Sequence, residues 1–185
     1  MPTVWRPQPI LRATLPLLAV LTAVEIGSGV VLESFEETLL ARPSLFVLVP
    51  VVIGTAGNLG SVLAARLSSA FHLGRISFAP DDETLAGNAV ATVALAVTAF
   101  PLIGAGAWVM AVLTGGAGLA PGTVVFVATV SGTGLAVLTV AVTVVATYVA
   151  YRLELDPDDV VIPAVTNVCD VLGVVTLYVV VTLAL

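Results

Sequence analysis

Residues 156–185 read DPDDVVIPAVTNVCDVLGVVTLYVVVTLAL. After its acidic start, this stretch stays apolar for longer than the roughly 20 residues that a membrane-spanning helix needs. Asp156 can cap such a helix, Pro157 suits its first position, and the acids that follow suit the positive end of the helix dipole. One carboxylate, Asp170, interrupts the run about 20 Å along a helix that rises 1.5 Å per residue. The segment therefore predicts a transmembrane helix with an acid near mid-membrane.

Four further apolar runs precede this one. Of 185 residues, 59% are hydrophobic and 10% are charged, and the mean hydropathy is +1.15, whereas soluble domains carry about a quarter charged residues. We therefore predict an all-α membrane protein in which residues 1–185 form a single transmembrane domain of five helices. The expected spans cover residues 10–32, 44–71, 84–113, 122–151 and 158–184.

Composition and motifs exclude several function classes. The net charge is −6, with twelve acids, six scattered arginines and no lysine, so no basic surface for nucleic acid is expected. A lone cysteine, Cys169, cannot form an internal disulfide. The sequence has no H-E-x-x-H or G-x-S-x-G motif, and it has only one deep aspartate where an aspartyl active site would need two. We therefore predict that the protein is not an enzyme.

The arginines predict the orientation in the membrane, because basic residues near span ends favour the cytoplasmic side. All but Arg42 fall on one side of the five-span arrangement: Arg6, Arg12, Arg66, Arg75 and Arg152. We expect a multi-pass protein of the cell membrane, surrounded by lipid, with its N-terminus in the cytoplasm and its C-terminus outside. Five spans cannot divide into two equal repeats, so a complete repeat would need a second chain.

Asp170 shares one helical face with other polar or helix-perturbing residues. Steps of three, four and seven residues from it reach Thr166, Asn167, Pro163 and Gly173. Pro163 cannot donate a backbone hydrogen bond, so a carbonyl one turn earlier is left free. Ionisable groups at membrane depth usually face a cavity, a partner or an ion path. The stripe predicts an oxygen-lined cation site; the alternative is that Asp170 pairs with an arginine or a neighbouring helix.

The second span contains Gly54-Thr55-Ala56-Gly57-Asn58-Leu59-Gly60-Ser61. Its glycines fall on a narrow face, which permits close approach of another helix and is equally consistent with a plain packing seam. Asn58 beside Thr55 needs hydrogen-bond partners in the bilayer, which a pore or a facing helix provides. We therefore include Thr55, Gly57 and Asn58 in the predicted cation site.

Acids in and just after the first span are further candidates for binding a cation. Glu25 lies deep in the first span, where a cation-binding role and a packing role are equally consistent with the pattern. Glu36 and Glu37 follow the first span and could gather cations at an outer entrance, because a rim of one sign raises the local counter-ion concentration. Glu33 is expected in a solvated loop.

Two motifs resemble the membrane domain of MgtE magnesium transporters. The first is Phe35-Glu36-Glu37-Thr38-Leu39 followed by Pro50-x-x-x-Gly54-x-x-Gly57-Asn58-x-Gly60-Ser61. The second, Asp156-Pro157-Asp158-Asp159-x-x-x-Pro163 followed by Asp170-x-x-Gly173, is similar also to the eukaryotic solute-carrier relatives. Val62 departs from the glutamine common in MgtE, and the fourth span lacks the usual Gly-x-x-x-Pro break.

The resemblance covers about residues 10–185 and implies a cation path between two protomers, lined by the second and fifth spans. It implies that Asp170 is the central metal-binding aspartate, that Pro50, Gly57 and Asn58 form the second-span motif, and that Glu36 and Glu37 form the acidic entrance. The partner would be an identical chain or a second half-size chain. Few residues precede the first span, so we expect no gating by the cytosolic magnesium-sensing modules of MgtE.

The residues and the resemblance lead to one functional hypothesis, which is transport of a divalent cation, most simply Mg²⁺. Mg²⁺ prefers six oxygen ligands and keeps several waters, and oxygen ligands without His or Cys favour it over Co²⁺ or Ni²⁺. Two alternatives remain open at this point: a non-transporting membrane scaffold or assembly subunit, and a transporter of another divalent cation. Channel and sodium- or proton-coupled carrier mechanisms are equally open.

Overall fold

The computed structural model describes residues 7–79, 81–116 and 118–185, so Arg6, Pro80 and Ala117 lie outside the described residues. Within them the chain forms helices and no strand: α1 (Pro7–Ser34), α2 (Glu36–Leu40), α3 (Pro43–His72), α4 (Glu83–Thr114), α5 (Pro121–Arg152) and α6 (Pro157–Ala184). All except α2 are long and apolar enough to cross a membrane. The predicted all-α class with five transmembrane helices is confirmed.

Local sequence signals determine where the helices begin and end. The Asp82 carboxylate accepts a hydrogen bond from the Leu85 amide at 2.9 Å and caps α4. Gly115, at φ 138°, ends α4 in a backbone conformation that favours glycine. Proline occupies the first position of four other helices, at Pro7, Pro43, Pro121 and Pro157. The bounds of the five long helices differ by three residues or fewer from the expected spans.

The segment after α1 differs from its expected form. Glu33 belongs to the last turn of α1, and Glu36 and Glu37 form the first turn of the short helix α2, whereas the sequence suggested a loop. The reason is packing: Phe35 and Leu39 are almost fully buried. Burying these two side chains holds the segment against the bundle and leaves the acids exposed.

The helix contacts define a four-helix core with α1 at its edge. Helix α3 packs against α4, α5 and α6, and α5 packs against α4 and α6. Helix α1 packs against α6 and α2 but makes no close backbone approach to α3. The centre of the core contains fully buried side chains such as Leu48, Phe100 and Leu135. Helices α1 and α3 therefore both pack on α6 without packing on each other, and we call the strip of α6 between them the groove.

Aromatic side chains mark both ends of the bundle. At the end where α3 and α5 finish, Phe71 and Tyr151 are 4.6 Å apart between ring centroids, and Phe78 contacts Tyr148 at 5.5 Å. At the opposite end, the Trp108 indole donates a hydrogen bond to the Leu119 carbonyl at 3.1 Å. Aromatic rings at both ends are typical of helices that span from one membrane interface to the other.

Candidate cation site

Glycines bring α3 and α6 into close contact at the middle of both helices. A Cβ atom added at Gly60 would lie 2.5 Å from Cγ1 of Val165, and one added at Gly173 would lie 2.7 Å from Cγ1 of Ile53. Positions later in α3 therefore meet positions earlier in α6, so the two helices run antiparallel. Small residues at such a contact allow the backbones to approach closely. The contact places Asp170 between the levels of Gly57 and Ile53.

Asp170 lies at the middle of α6, thirteen residues after Pro157 and fourteen before Ala184. Thr166 and Gly173, on the same stripe, both face α3: Cγ2 of Thr166 is 4.0 Å from the Cβ position at Gly57. Farther along α6, Tyr178 contacts Phe35 at the end of α1, with ring centroids 5.4 Å apart. Asp170 is partly exposed and therefore faces the groove between α1 and α3.

Glu25 of α1 meets Asp170 in this groove. The two carboxyl groups are close enough to interact with each other. Leu21, one turn before Glu25, is a buried hydrophobic residue of α1, and Leu32 packs on the core from the same stripe. Glu25 therefore lies on the stripe of α1 that faces α6. From the sequence, Glu25 and Asp170 were predicted as separate candidates on different spans. In the structure they are neighbours.

No basic side chain balances this pair within the described part of the chain. Its arginines form no ion pair there, and Arg66 instead donates from Nε to Oδ1 of Asn88, near the end of α3. The alternative in which Asp170 pairs with an arginine is therefore not what the structure shows. Two ionised carboxylates in a medium of low dielectric constant repel each other strongly. A cation between them would remove that repulsion.

Thr166 and Asn167 make local hydrogen bonds that fix their orientation. The Thr166 hydroxyl donates to the carbonyls of Ile162 and Pro163 at 3.1 and 3.0 Å. The Asn167 amide nitrogen donates to the Pro163 carbonyl at 3.1 Å, which leaves its amide oxygen available as an acceptor. Both side chains are partly exposed and can still offer oxygen to a cation.

The carbonyl that Pro163 leaves without a donor lies near the start of α6. The carbonyl that a proline at 163 leaves without a donor belongs to Asp159, four residues earlier. Along the helix this oxygen is about 16 Å from Asp170. Pro163 therefore perturbs the start of α6 and adds no backbone ligand beside Asp170.

The second-span residues divide between two faces of α3. Gly57 is buried against α6, and Gly54, which the sequence placed on the same narrow face, is exposed with no neighbour within 4 Å of a Cβ. Asn58 is exposed and Thr55 partly exposed, and neither forms a hydrogen bond within the described residues. An unpaired amide in a membrane-spanning helix is costly. Within one chain, the Asn58 amide therefore still needs a hydrogen-bond partner.

The acidic entrance residues lie at the end of the bundle where α1 finishes. Glu36 and Glu37 are exposed in the first turn of α2. Glu33 and Glu36 line a cavity of about 270 Å³ together with Leu32 and Phe46. From the sequence, Glu33 was predicted to lie in a solvated loop. A linear pattern does not show that the last turn of α1 and the first turn of α2 line one cavity.

One chain therefore brings together part of the candidate cation site. The described residues contain no cluster of three or more His, Cys, Asp or Glu side chains placed to hold a metal ion. Two carboxylates with amide and hydroxyl oxygens nearby are a set of oxygen ligands suited to Mg²⁺, which keeps several of its own waters. The set does not suit a metal that prefers nitrogen or sulfur.

Comparison with curated proteins gives no match. A family model does match: MgtE, described as a divalent cation transporter, covers residues 49–180, which is more than two thirds of the chain. The matched region contains the glycine motif of α3 and Asp170 of α6. MgtE is a family of transporters, and the apolar helices found here are those of a multi-pass membrane protein. This chain belongs to the MgtE family of divalent cation transporters.

Proposed function

We propose that the protein carries Mg²⁺ across the membrane along the face where α6 meets α1 and α3, with Asp170 as the central cation-binding carboxylate. The observation that carries this proposal is that Glu25 and Asp170 interact at mid-helix and that no arginine of the described residues pairs with them. Intramembrane acids are costly, and a pair of them is more costly still. A transported divalent cation explains why both are present.

The oxygen ligands proposed for the ion come from α1 and α6. Asp170 supplies the central carboxylate and Glu25 a second one, while Thr166 and Asn167 add hydroxyl and amide oxygens near them. The Cys169 thiol, which would be a softer ligand, is not directed towards this site. It is buried and lies 3.1 Å from the Thr139 hydroxyl on α5. This arrangement favours Mg²⁺ over Co²⁺ and Ni²⁺.

A second chain is the proposed partner that completes the path. Mg²⁺ demands near-octahedral coordination, which one partly exposed carboxylate pair does not close on its own. The exposed face of α3, with Asn58 and Thr55, is free of other helices. A second copy, or a second half-size chain, placed against this face would add its own oxygens and pair the Asn58 amide. Gly57 lies on the side of α3 that faces Thr166 of α6.

The arginines support a cytoplasmic position for the end where α3 and α5 finish. Arg66, Arg75 and Arg152 lie at that end, and Arg42 lies at the other. Glu36 and Glu37 then face outside, at the proposed entrance of the path. Reaction of a cysteine at Glu37 with a membrane-impermeant reagent on intact cells checks this orientation, and protection from the reagent would reverse it.

Flux in reconstituted vesicles tests the cation site. We expect Asp170→Asn to fold and to lose most Mg²⁺ flux, because it removes the central charge and keeps the shape. We expect Glu25→Gln to raise the Mg²⁺ concentration needed for half-maximal flux. Asp159→Asn, on the same helix but exposed near its start, is the matched control and should behave as wild type. Full flux in Asp170→Asn would remove this residue from the mechanism.

The same variants separate transport from a scaffold role. In a scaffold, Asp170 would serve only as an interhelical hydrogen-bonding group, worth about 0.6–2 kcal/mol. Asp170→Asn would then change thermal stability without any dependence on Mg²⁺. In a transporter, Mg²⁺ stabilises the wild type through its binding free energy, and the variant loses that stabilisation. Repeating the flux assay with Co²⁺ and Ni²⁺ tests the choice of ion.

A further inference from the structure

A second cavity lies apart from the cation site. It has a volume of about 500 Å³ and opens between the last three turns of α3 and the start of α4. Two arginines, Arg66 and Arg75, line it, together with the polar side chains of Ser69, Thr84 and Asn88. We call it the arginine cavity. Nothing in the proposed transport mechanism uses these residues.

The charge of the arginine cavity is unbalanced. The chain has twelve acids and six arginines, yet two of the arginines and none of the acids line this cavity. Asp82, in the adjoining loop, already accepts hydrogen bonds from the amides of Ser77 and Leu85. Neither guanidinium forms an ion pair within the described part of the chain. The cavity is therefore an anion-attracting place in an otherwise acidic protein.

Local hydrogen bonds orient one of the two guanidinium groups. The Arg66 Nε donates to Oδ1 of Asn88 at 2.5 Å, and Nδ2 of Asn88 donates to the Thr84 carbonyl at 2.7 Å. Because Asn88 holds the Nε side, the two terminal nitrogens of Arg66 remain available for another acceptor. A guanidinium presents its donors in a planar fork that matches phosphate oxygens.

The position of the cavity suits the boundary between lipid headgroups and acyl chains. Arg66 lies six residues before the end of α3, about 9 Å inside it, and Arg75 follows in the loop. The wall beside them is apolar and open, with Val62 55% and Leu73 66% exposed. Basic pockets between membrane helices are known to bind anionic headgroups. A free ion would leave this apolar wall uncovered.

We propose that the arginine cavity binds an anionic phospholipid, with Arg66 and Arg75 holding its phosphate and the wall of Val62, Ala65 and Leu73 contacting an acyl chain. The bound lipid would tie the end of α3 to the start of α4. Lipid binding in this cavity does not depend on which cation is transported or on the cation site, so the two proposals are tested separately.

Thermal unfolding of the purified protein in detergent, titrated with phosphatidylglycerol or phosphatidylcholine, tests the proposal. We expect phosphatidylglycerol to stabilise the wild type more, and Arg66→Gln and Arg75→Gln each to weaken its apparent affinity about fivefold, as expected for one arginine near a headgroup. Arg152→Gln removes the same charge at the same end but outside the cavity, and should keep wild-type affinity. Equal loss in all variants, or no preference between the lipids, would overturn the proposal.

Two further arms identify the source of the phosphate. Ala65→Phe fills the apolar wall and keeps both guanidinium groups, so it should weaken phosphatidylglycerol binding. Inorganic phosphate alone should give little stabilisation, and stabilisation equal to that of the lipid would overturn the acyl contact. If Arg66→Gln fails to fold, Asn88→Ala keeps the charge and releases its orientation; unchanged lipid affinity in that variant would count against an oriented Arg66.

Discussion

Glu25 shows what one residue can and cannot reveal in a sequence. Its depth marks it as costly at about 2.5–3.5 kcal/mol for an acid at the centre of a helix, and so it was predicted as a candidate. Its neighbour could not be predicted, because periodicity identifies a face of α1 but not the helix packed against that face. The contact with Asp170 follows from the docking of α1 on α6, which only the folded chain shows.

Gly60 carries a residue-scale prediction about the α3–α6 contact. A Cβ there would lie 2.5 Å from Val165 Cγ1 and 2.8 Å from Thr139 Cγ2, and both neighbours are in the packed core. We expect Gly60→Ala to lower the free energy of unfolding by about 1–3 kcal/mol, as overpacking does. Because the contact sets the position of α6, Mg²⁺ flux should fall too. Thermal unfolding in detergent and vesicle flux measure the two effects.

Gly54 provides the matched control on the same helix. A Cβ at this position meets no atom within 4 Å, so Gly54→Ala should unfold at or slightly above the wild-type temperature, since alanine favours a helix more than glycine does. Equal destabilisation by the two substitutions would mean that Gly60 is not a special point of contact.

At the scale of elements, sequence signals predicted the long helices well and the short one not at all. Caps, prolines and acidic first turns are local features, and they gave the limits of helices such as α4 and α6 closely. Helix α2 is five residues long, too short for any periodicity, and it exists because Phe35 and Leu39 are buried. The division of the α3 glycines between a packed and an exposed face likewise depends on the neighbours of α3.

The cap of α4 carries a prediction at this scale. Hydrogen bonds from the amides of Leu85 and then Ser77 lower the pKa of Asp82 below its ordinary value of 3.8. A lowered folded pKa means that the contribution of the cap is fully present above 3.8 and is lost as the pH falls through the folded value. We expect the Leu85 amide to exchange faster in Asp82→Ala at neutral pH, and faster in the wild type after acidification than its intrinsic rate predicts. Hydrogen exchange followed by mass spectrometry measures both.

Asp81 makes this test specific. It is exposed and precedes the cap, so Asp81→Ala removes the same charge next to the same helix without removing the hydrogen bonds. Its Leu85 amide should stay as protected as in the wild type. If both substitutions accelerated exchange equally, charge near the helix start would be the cause and the capping geometry would not.

At the scale of the whole molecule, the arrangement of the polar groups is incomplete in one chain. Helix α1 has most of its surface exposed, Asn58 faces outward from α3 without a partner, and the carboxylate pair lies in an open groove. Apolar exposure is ordinary in lipid, but exposed amides and acids at mid-membrane are not. The odd number of spans predicts a second chain, and we propose this exposed face as the place where it binds.

Cross-linking tests this second chain. In a two-fold dimer, a residue near the axis lies close to its own copy, so Asn58→Cys should form a disulfide-linked dimer under mild oxidation in membranes. The native Cys169 is buried and should not react. Leu102 is 74% exposed on α4, in a membrane-spanning helix but away from the proposed interface. Leu102→Cys should therefore form no disulfide-linked dimer. Dimers of the Leu102→Cys variant alone would move the interface to α4, and linkage of Asn58→Cys only to a different chain would make the assembly a heterodimer.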